Sequence, residues 1–174
     1  MGRSPTMRGL MRFNEAERMT IKHVLSWDEI QSLVEIINEQ LHNDYDALLV
    51  VTRGGMIPAC LISQRRNWRN ILVAAVQFYT GIGTTREIPT FLQFPSDPLI
   101  VGKKLLVIDD IWDSGRTIAA VKQRLDTAGA NYEVAVLHFK PGSSKVEGKP
   151  DFFAAETDQW IVYPWEPPTD PDAE

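Results

Sequence analysis

The run Lys104-Leu105-Leu106-Val107-Ile108-Asp109-Asp110-Ile111-Trp112-Asp113-Ser114-Gly115-Arg116-Thr117 changes character twice along its length. Residues 105–108 are apolar and partly β-branched, as in a fully buried strand. From Gly115 the spacing becomes helical, with Ile118, Val121 and Leu125 on one face. The order is therefore strand, polar loop, helix. The loop holds Asp109, Asp110 and Asp113 beside Ser114, Gly115 and Thr117. In an open α/β sheet, ligands lie at the carboxyl ends of the strands. A loop that opens a helix there offers an anion free amides and the positive end of the helix dipole.

Three carboxylates beside such a cradle would repel a bare phosphate. A sugar phosphate removes the conflict, because carboxylates pair with ribose hydroxyls or a divalent ion while Ser114, Thr117 and the amides around Gly115 hold the monophosphate. A second loop of this kind lies upstream. Residues 47–51 read as a buried strand running into Thr52-Arg53-Gly54-Gly55, with a helix opening near Pro58. The glycines permit close backbone approach and Arg53 can neutralise a polyanion, so a diphosphate suits this loop. Alone, a Gly-Gly turn before a helix is commonly structural. The presence of the 109–117 loop makes a ligand role credible.

The remaining chain alternates strand and helix patterns. A short strand near residues 20–25 precedes Ser26-Trp27-Asp28-Glu29, a capping box, and Ile30, Leu33, Val34, Ile37 and Leu41 mark one helical face that should end near His42 or Asn43. Residues 71–77, 132–139 and 152–155 read as strands, and the helix after the acidic loop closes at Gly129. Residues 79–94 lack a helical period and are punctuated by Gly and Pro; they read as a mobile lid or an irregular hairpin, the lid being favoured. Lys140-Pro141-Gly142 is a sharp turn, residues 142–150 a polar loop, and residues 158–166 an aromatic-dense segment too short for a core of its own. Residues 1–19 are expected to be a flexible arm, residues 20–166 the single domain, and residues 167–174 a disordered, acidic, Pro-rich tail.

Composition narrows the function. The 174 residues suit one domain with a sizeable core, and 44% hydrophobic with 24% charged residues is ordinary for a globular protein. No apolar run approaches the roughly 20 residues of a membrane span, and the first residues do not form a signal peptide, so a cytoplasmic protein with no membrane partner is expected. A net charge of −5 argues against nucleic-acid binding; Arg65, Arg66 and Arg69 read as a solvated helix end. Cys60 is the single cysteine, which excludes an intramolecular disulfide and is expected to be a small buried residue.

Residues 107–117 match the phosphoribosyl pyrophosphate (PRPP) signature, and the chain from about 20 to 166 resembles the type I phosphoribosyltransferases, most closely the 6-oxopurine (xanthine-guanine and hypoxanthine) branch. Thr52-Arg53-Gly54-Gly55, the signature, Phe139-Lys140-Pro141, and Trp160-Ile161 followed by Pro164-Trp165 carry that resemblance. It implies a Rossmann-like open, mostly parallel α/β sheet flanked by helices, with a small hood from about residue 140 to 166. It further implies a homodimer or homotetramer that uses Mg²⁺, PRPP and a 6-oxopurine base. Arg53 and Gly54 would contact pyrophosphate, and a strained peptide around Thr52-Arg53-Gly54, in cis as one form, is expected. Asp109 and Asp110 would meet the ribose hydroxyls and Mg²⁺, and Ser114, Gly115, Arg116 and Thr117 the 5′-phosphate. Lys140 would donate to the 6-oxo oxygen, Trp160 would stack on the ring, and the Ile161 backbone would meet the exocyclic edge.

Asp113 is the expected proton-handling residue. It adjoins the phosphate-binding residues, which its charge would oppose unless the side chain turned away toward the base. Two features depart from the family pattern: the stretch through Ile88-Pro89-Thr90, and Trp112, which is bulky for its position. Rival readings are a phosphoribosyltransferase-fold enzyme for another base and a PRPP-sensing regulatory protein. Asp113, Lys140 and Trp160 together disfavour the first, and the acidic charge with Asp113 retained disfavours the second.

Overall fold

Leu48 and Val50 on one strand and Leu106 and Ile108 on its neighbour face one side of a sheet, while Leu49, Val51, Leu105 and Val107 face the other. Strands buried on both faces need helices on both, and the computed structural model shows them. It describes residues 22–80 and 87–167. The expected N-terminal arm, the tail from 168 and the centre of the expected lid, 81–86, lie outside the described residues.

In chain order the elements are β1 (Lys22–Val24), α1 (Trp27–Gln40), β2 (Ala47–Thr52), α2 (Met56–Arg66), β3 (Ile71–Thr80), β4 (Glu87–Gln93), β5 (Lys104–Trp112), α3 (Arg116–Ala128), β6 (Asn131–Phe139), β7 (Phe152–Glu156) and β8 (Trp160–Val162). Six strands form one sheet in the order β4-β3-β2-β5-β6-β7. All neighbours are parallel except β3 and β4. On one face Ile30, Val34 and Ile37 of α1 and Ala59 and Ile62 of α2 cover the sheet. On the other, Ile118, Val121 and Leu125 of α3 do. The open, mostly parallel α/β sheet expected from the sequence is thus the fold observed.

The chain leaves β2 through α2 to reach β3 on one side, and leaves β5 through α3 to reach β6 on the other. β2 and β5 are adjacent, so their carboxyl ends flank the point where strand order reverses, which is where open sheets bind ligands. The loops carrying Arg53 and Asp113 therefore share one crevice. A second, two-stranded sheet joins segments far apart in the chain: β8 pairs in parallel with β1, and Leu25, Ile161 and Tyr163 join the core on the α1 and α2 face.

Several local expectations need correction. The apolar run stops at Ile108, but β5 continues through Trp112 because β6 runs alongside it, Ile111 partnering His138 and Trp112 partnering Phe139. Asp109 and Asp110 therefore sit on the strand rather than in a loop. α1 ends at Gln40, and Arg66 donates to the carbonyls of Asn38 and Leu41. Arg66 thus ties two helices together, while Arg65 pairs with Glu35. Cys60 is exposed, because α2 buries Pro58, Ala59, Ile62 and Ser63 and leaves position 60 outward. Residues 87–93 form an antiparallel edge strand against β3, with Pro89 at the sheet edge where a missing amide is tolerated.

The capping box is present: the Glu29 amide donates to Ser26 Oγ and the Ser26 amide to the Glu29 carboxylate. Two glycines separate space from conformation. A Cβ on Gly55 would collide with the carbonyls of Ile108 and Val51, whereas Gly129 has φ +70° and open space around it. Gly129→Ala is expected to cost about 1–2 kcal/mol through its left-handed backbone, and Gly55→Ala about 3 kcal/mol or more through overpacking against backbone. Urea unfolding of the two variants checks the ranking; an equal or smaller loss for Gly55→Ala would contradict the contact.

Candidate active site

Both site loops are built on the ends of buried strands. At the end of β2 the Thr52–Arg53 peptide is cis, one of the forms that the resemblance implied for this turn. Gly54 and Gly55 then lie directly on β5: a Cβ on Gly54 would collide with the Asp110 carboxylate, and one on Gly55 would reach the Ile108 carbonyl. The loop therefore presses its backbone onto the strand end that carries the two acids.

Those acids differ in surroundings. Asp109 is buried, and one of its oxygens accepts from the Asp110 amide at 2.9 Å. Burial, and then the Asp110 charge, push its carboxyl well above the usual range, against hydrogen bonds from the Asp110 and Gly55 backbones. Asp110 is half-buried, and burial pushes it up to about 6. Asp110 also lines two cavities. One, of about 340 Å³, is walled by Arg53, Gly54, Asp110, Trp165, Glu166 and Pro167. The other, of about 230 Å³, is lined by residues 109–118.

The second cavity opens at the start of α3. Gly115 takes φ +73°, and a Cβ there would strike the Trp112 indole and Val146. Trp112, which looked too large for its place, is 1% exposed and points into the core. Its ring meets Phe139 edge-on, and its Nε1 donates to Ser144 Oγ at 3.2 Å. The indole thus forms the floor beneath Gly115. Residues 143–146, within the expected polar loop 142–150, brace this floor: the Lys145 amide donates to the Ser114 carbonyl at 3.0 Å, and Ser144 Oγ to the Val146 carbonyl. Ser114 Oγ faces the Arg116 amide at 3.5 Å, and the first amides of a helix have no intrahelical acceptor, so the donors collect here. Arg116 lies over the Phe78 ring at 6.0 Å.

The residues expected at the base also converge. Lys140 is only 5% exposed, and its amide donates to the Trp112 carbonyl at 2.9 Å. Its ammonium lies 3.4 Å from Asp113 Oδ2 and 5.8 Å from the centroid of Trp160, an exposed ring on β8. Ile161 turns its side chain into the core, leaving only backbone for a ligand. The contribution of residues 165–167 to the first cavity was not foreseen, although the aromatic density of 158–166 drew attention to the segment.

Magnesium can be tested against these donors. Among the described residues no group of three or more His, Cys, Asp or Glu side chains could hold a metal by itself. Two adjacent acids whose carboxyls burial pushes up do match an ion that takes one or two carboxylates and completes its shell with substrate oxygens and water. The residues therefore fit Mg²⁺ delivered with a polyphosphate. No helix among the described residues is long and apolar enough to cross a membrane.

Comparison with known proteins agrees with this geometry. The family model for the phosphoribosyl transferase domain matches residues 21–172. The xanthine-guanine phosphoribosyltransferase of Idiomarina loihiensis is 31% identical over 147 residues, covering 82% of this chain and 85% of the relative. That of Gluconobacter oxydans is 28% identical over 163 residues, covering 90% and 91%. The crystal structure of a purine phosphoribosyltransferase from Pyrococcus horikoshii superposes with a TM-score of 0.73 at 30% identity, covering 84% of this chain and 94% of that one.

The site leaves a mark on stability. His138 is buried, and burial pushes it down to about 4. Between pH 4 and 6.5 the unfolded chain binds more protons at this position, so stability rises with pH. Asp110 acts oppositely, because its raised pKa makes the folded state bind more protons from about pH 4 to 6, and stability falls as pH rises. Asp110→Asn removes the opposing effect. Its unfolding free energy should climb more steeply from pH 4.5 to 6.5 than that of the wild type. Urea titrations at the two pH values check this, and parallel profiles would contradict it.

Proposed function

The chain belongs to the phosphoribosyltransferase family, and we propose that it transfers the 5-phosphoribosyl group of PRPP to N9 of a 6-oxopurine in purine salvage, releasing pyrophosphate. The observation that carries the choice of base is the placement of Lys140, a buried ammonium between Asp113 and Trp160 beside the PRPP loop. A ring stacked on Trp160 offers a 6-oxo oxygen to Lys140 and its proton-bearing nitrogens to Asp113. Xanthine and guanine, the bases in the relatives' names, and hypoxanthine all present that edge.

In the reaction the C1–oxygen bond to pyrophosphate breaks, the C1–N9 bond forms, and the purine gives up a proton. Positive charge grows on the ribose and negative charge on the leaving group. Catalysis then consists of positioning and of fixed opposite charge. Arg53 and the Gly54 backbone receive the pyrophosphate in the cavity they line, while Ser114, Gly115, Arg116 and Thr117 hold the 5′-phosphate at the start of α3. Asp110, on the wall of both cavities, addresses the ribose hydroxyls between them. Asp109, whose carboxylate accepts from the Asp110 amide, keeps that strand end in shape. Asp110 and Asp109 would hold Mg²⁺, which when bound would supply positive charge for the leaving diphosphate. Asp113, with its side chain 51% exposed, accepts or shares the purine proton. A cytoplasmic homodimer or homotetramer belongs to the same reading, supported by exposed Ile88 and Leu92 on β4 as apolar surface for a second copy.

The test is turnover with PRPP, Mg²⁺ and a panel of bases. Nucleoside monophosphate should form with a 6-oxopurine and depend on Mg²⁺; pyrophosphate release with uracil or orotate but no 6-oxopurine would overturn the reading. Asp113→Asn should lower kcat by about 10²–10⁴-fold with PRPP affinity nearly unchanged. Near-normal turnover would instead reduce Asp113 to a residue that shapes the loop.

A further inference from the structure

Asp110 has unusual backbone bonding for a residue inside a central strand. From Lys104 to Trp112, every residue of β5 has a Cα partner on β6 except Asp110. Both of its backbone polar groups are held by side chains instead. Its amide donates to Asp109 Oδ1 at 2.9 Å, and its carbonyl accepts from the Tyr163 hydroxyl at 3.0 Å. The peptide that aims the Asp110 carboxylate at the two cavities is thus set by side chains.

Tyr163 is itself fixed. It is 2% exposed and stacks on Trp165 with centroids 4.6 Å apart and an interplanar angle of 12°. Its hydroxyl oxygen lies 2.9 Å from His138 Nδ1. A tyrosine hydroxyl has one proton, and a carbonyl can only accept, so that proton goes to Asp110. The hydroxyl must then accept from His138, which places the imidazole proton on Nδ1. The chain of donors runs one way, from His138 through Tyr163 to Asp110. Tyr163 stands three residues after Trp160 and two before Trp165, on the segment that offers a stacking face at one end and a wall of the Arg53 cavity at the other.

We propose that Tyr163 is a positioning residue whose hydroxyl, oriented by His138, fixes the Asp110 peptide and ties the purine-stacking segment to the PRPP acids. This rests on the phosphoribosyl transfer reading, with Asp110 meeting the ribose of PRPP. Without the hydroxyl, the Asp110 carbonyl loses its donor and the strand end can rotate, misplacing the carboxylate for PRPP while Lys140 and Trp160 keep their places for the purine. The consequence is a selective defect: PRPP binding suffers and purine recognition does not.

Tyr163→Phe removes the hydroxyl and keeps the ring stacked on Trp165. His138→Phe removes the donor behind the hydroxyl and leaves the hydroxyl itself. Calorimetric titration with PRPP and Mg²⁺, together with KM for each substrate, is made well below the unfolding midpoint of each variant. The wild type should bind PRPP. Tyr163→Phe should raise the Kd and KM for PRPP about tenfold and leave KM for the purine within about twofold; His138→Phe should shift the same two constants by a smaller factor. Unchanged PRPP constants in Tyr163→Phe, or equal rises for both substrates, overturn the positioning role while leaving phosphoribosyl transfer intact. Absence of PRPP binding by the wild type overturns that reading and this inference with it. If Tyr163→Phe does not fold, His138→Phe decides, unchanged PRPP constants counting against the proposal.

Discussion

The contact on which the site depends is the packing of the Gly54-Gly55 turn against the end of β5. Because β2 and β5 are neighbours and their helices depart on opposite faces, the loops that follow them must meet in the crevice between. How closely they meet is decided by two absent side chains. Gly55 rests on the Ile108 carbonyl and Gly54 on the Asp110 carboxylate, with no room for a Cβ at either. A diphosphate held by Arg53 and a sugar held by the acids can then belong to one molecule. Separated by the thickness of a methyl group, the loops would bind two unrelated anions poorly.

The same closeness has an electrostatic cost. Asp109 and Asp110 are driven up in pKa by burial, which means that the ligand-free protein resists ionising them fully. A multiply charged ligand arriving with a divalent cation relieves this, because the cation supplies the opposite charge that the protein lacks. Lys140 is the mirror case on the base side, a buried cation with one carboxylate within 4 Å and an aromatic face nearby. The site is thus polarised, with two buried acids on the β5 strand end and a buried cation at Lys140, which is the arrangement the proposed transfer would use. Residues 143–146 and Trp112 brace the loop between them, so that the phosphate cradle stands on packed core.

Much of this was legible in the sequence because local pattern and chemistry agreed. The strand-to-helix transitions at residues 51–58 and 108–118 located the two loops, and the residue types named a sugar phosphate before any fold was drawn. What escaped depended on partners distant in the chain. The extension of β5 to Trp112 comes from pairing with β6, which an apolar run ending at Ile108 cannot display. Lys140 was expected at the base from the resemblance, but its burial was not legible in a Lys-Pro-Gly turn; its amide is held by the Trp112 carbonyl. Cys60 was expected inside because cysteine is commonly buried, but its position on α2 turns it outward. Tyr163 carried no local signal, since its bonds reach back to positions 110 and 138.

The central claim is that two loops form a single PRPP site through the contact at Gly54. Isothermal titration of wild type and Gly54→Ala with PRPP and, separately, with ribose 5-phosphate tests it most directly, in the presence of Mg²⁺ and with folding verified by circular dichroism. The added methyl group should displace Asp110 or the Arg53 loop, weakening PRPP by at least about tenfold, or about 1.4 kcal/mol. Ribose 5-phosphate, anchored at the start of α3, should lose much less. Equal affinity of the two proteins for PRPP, or an equal loss for both ligands, would contradict the claim.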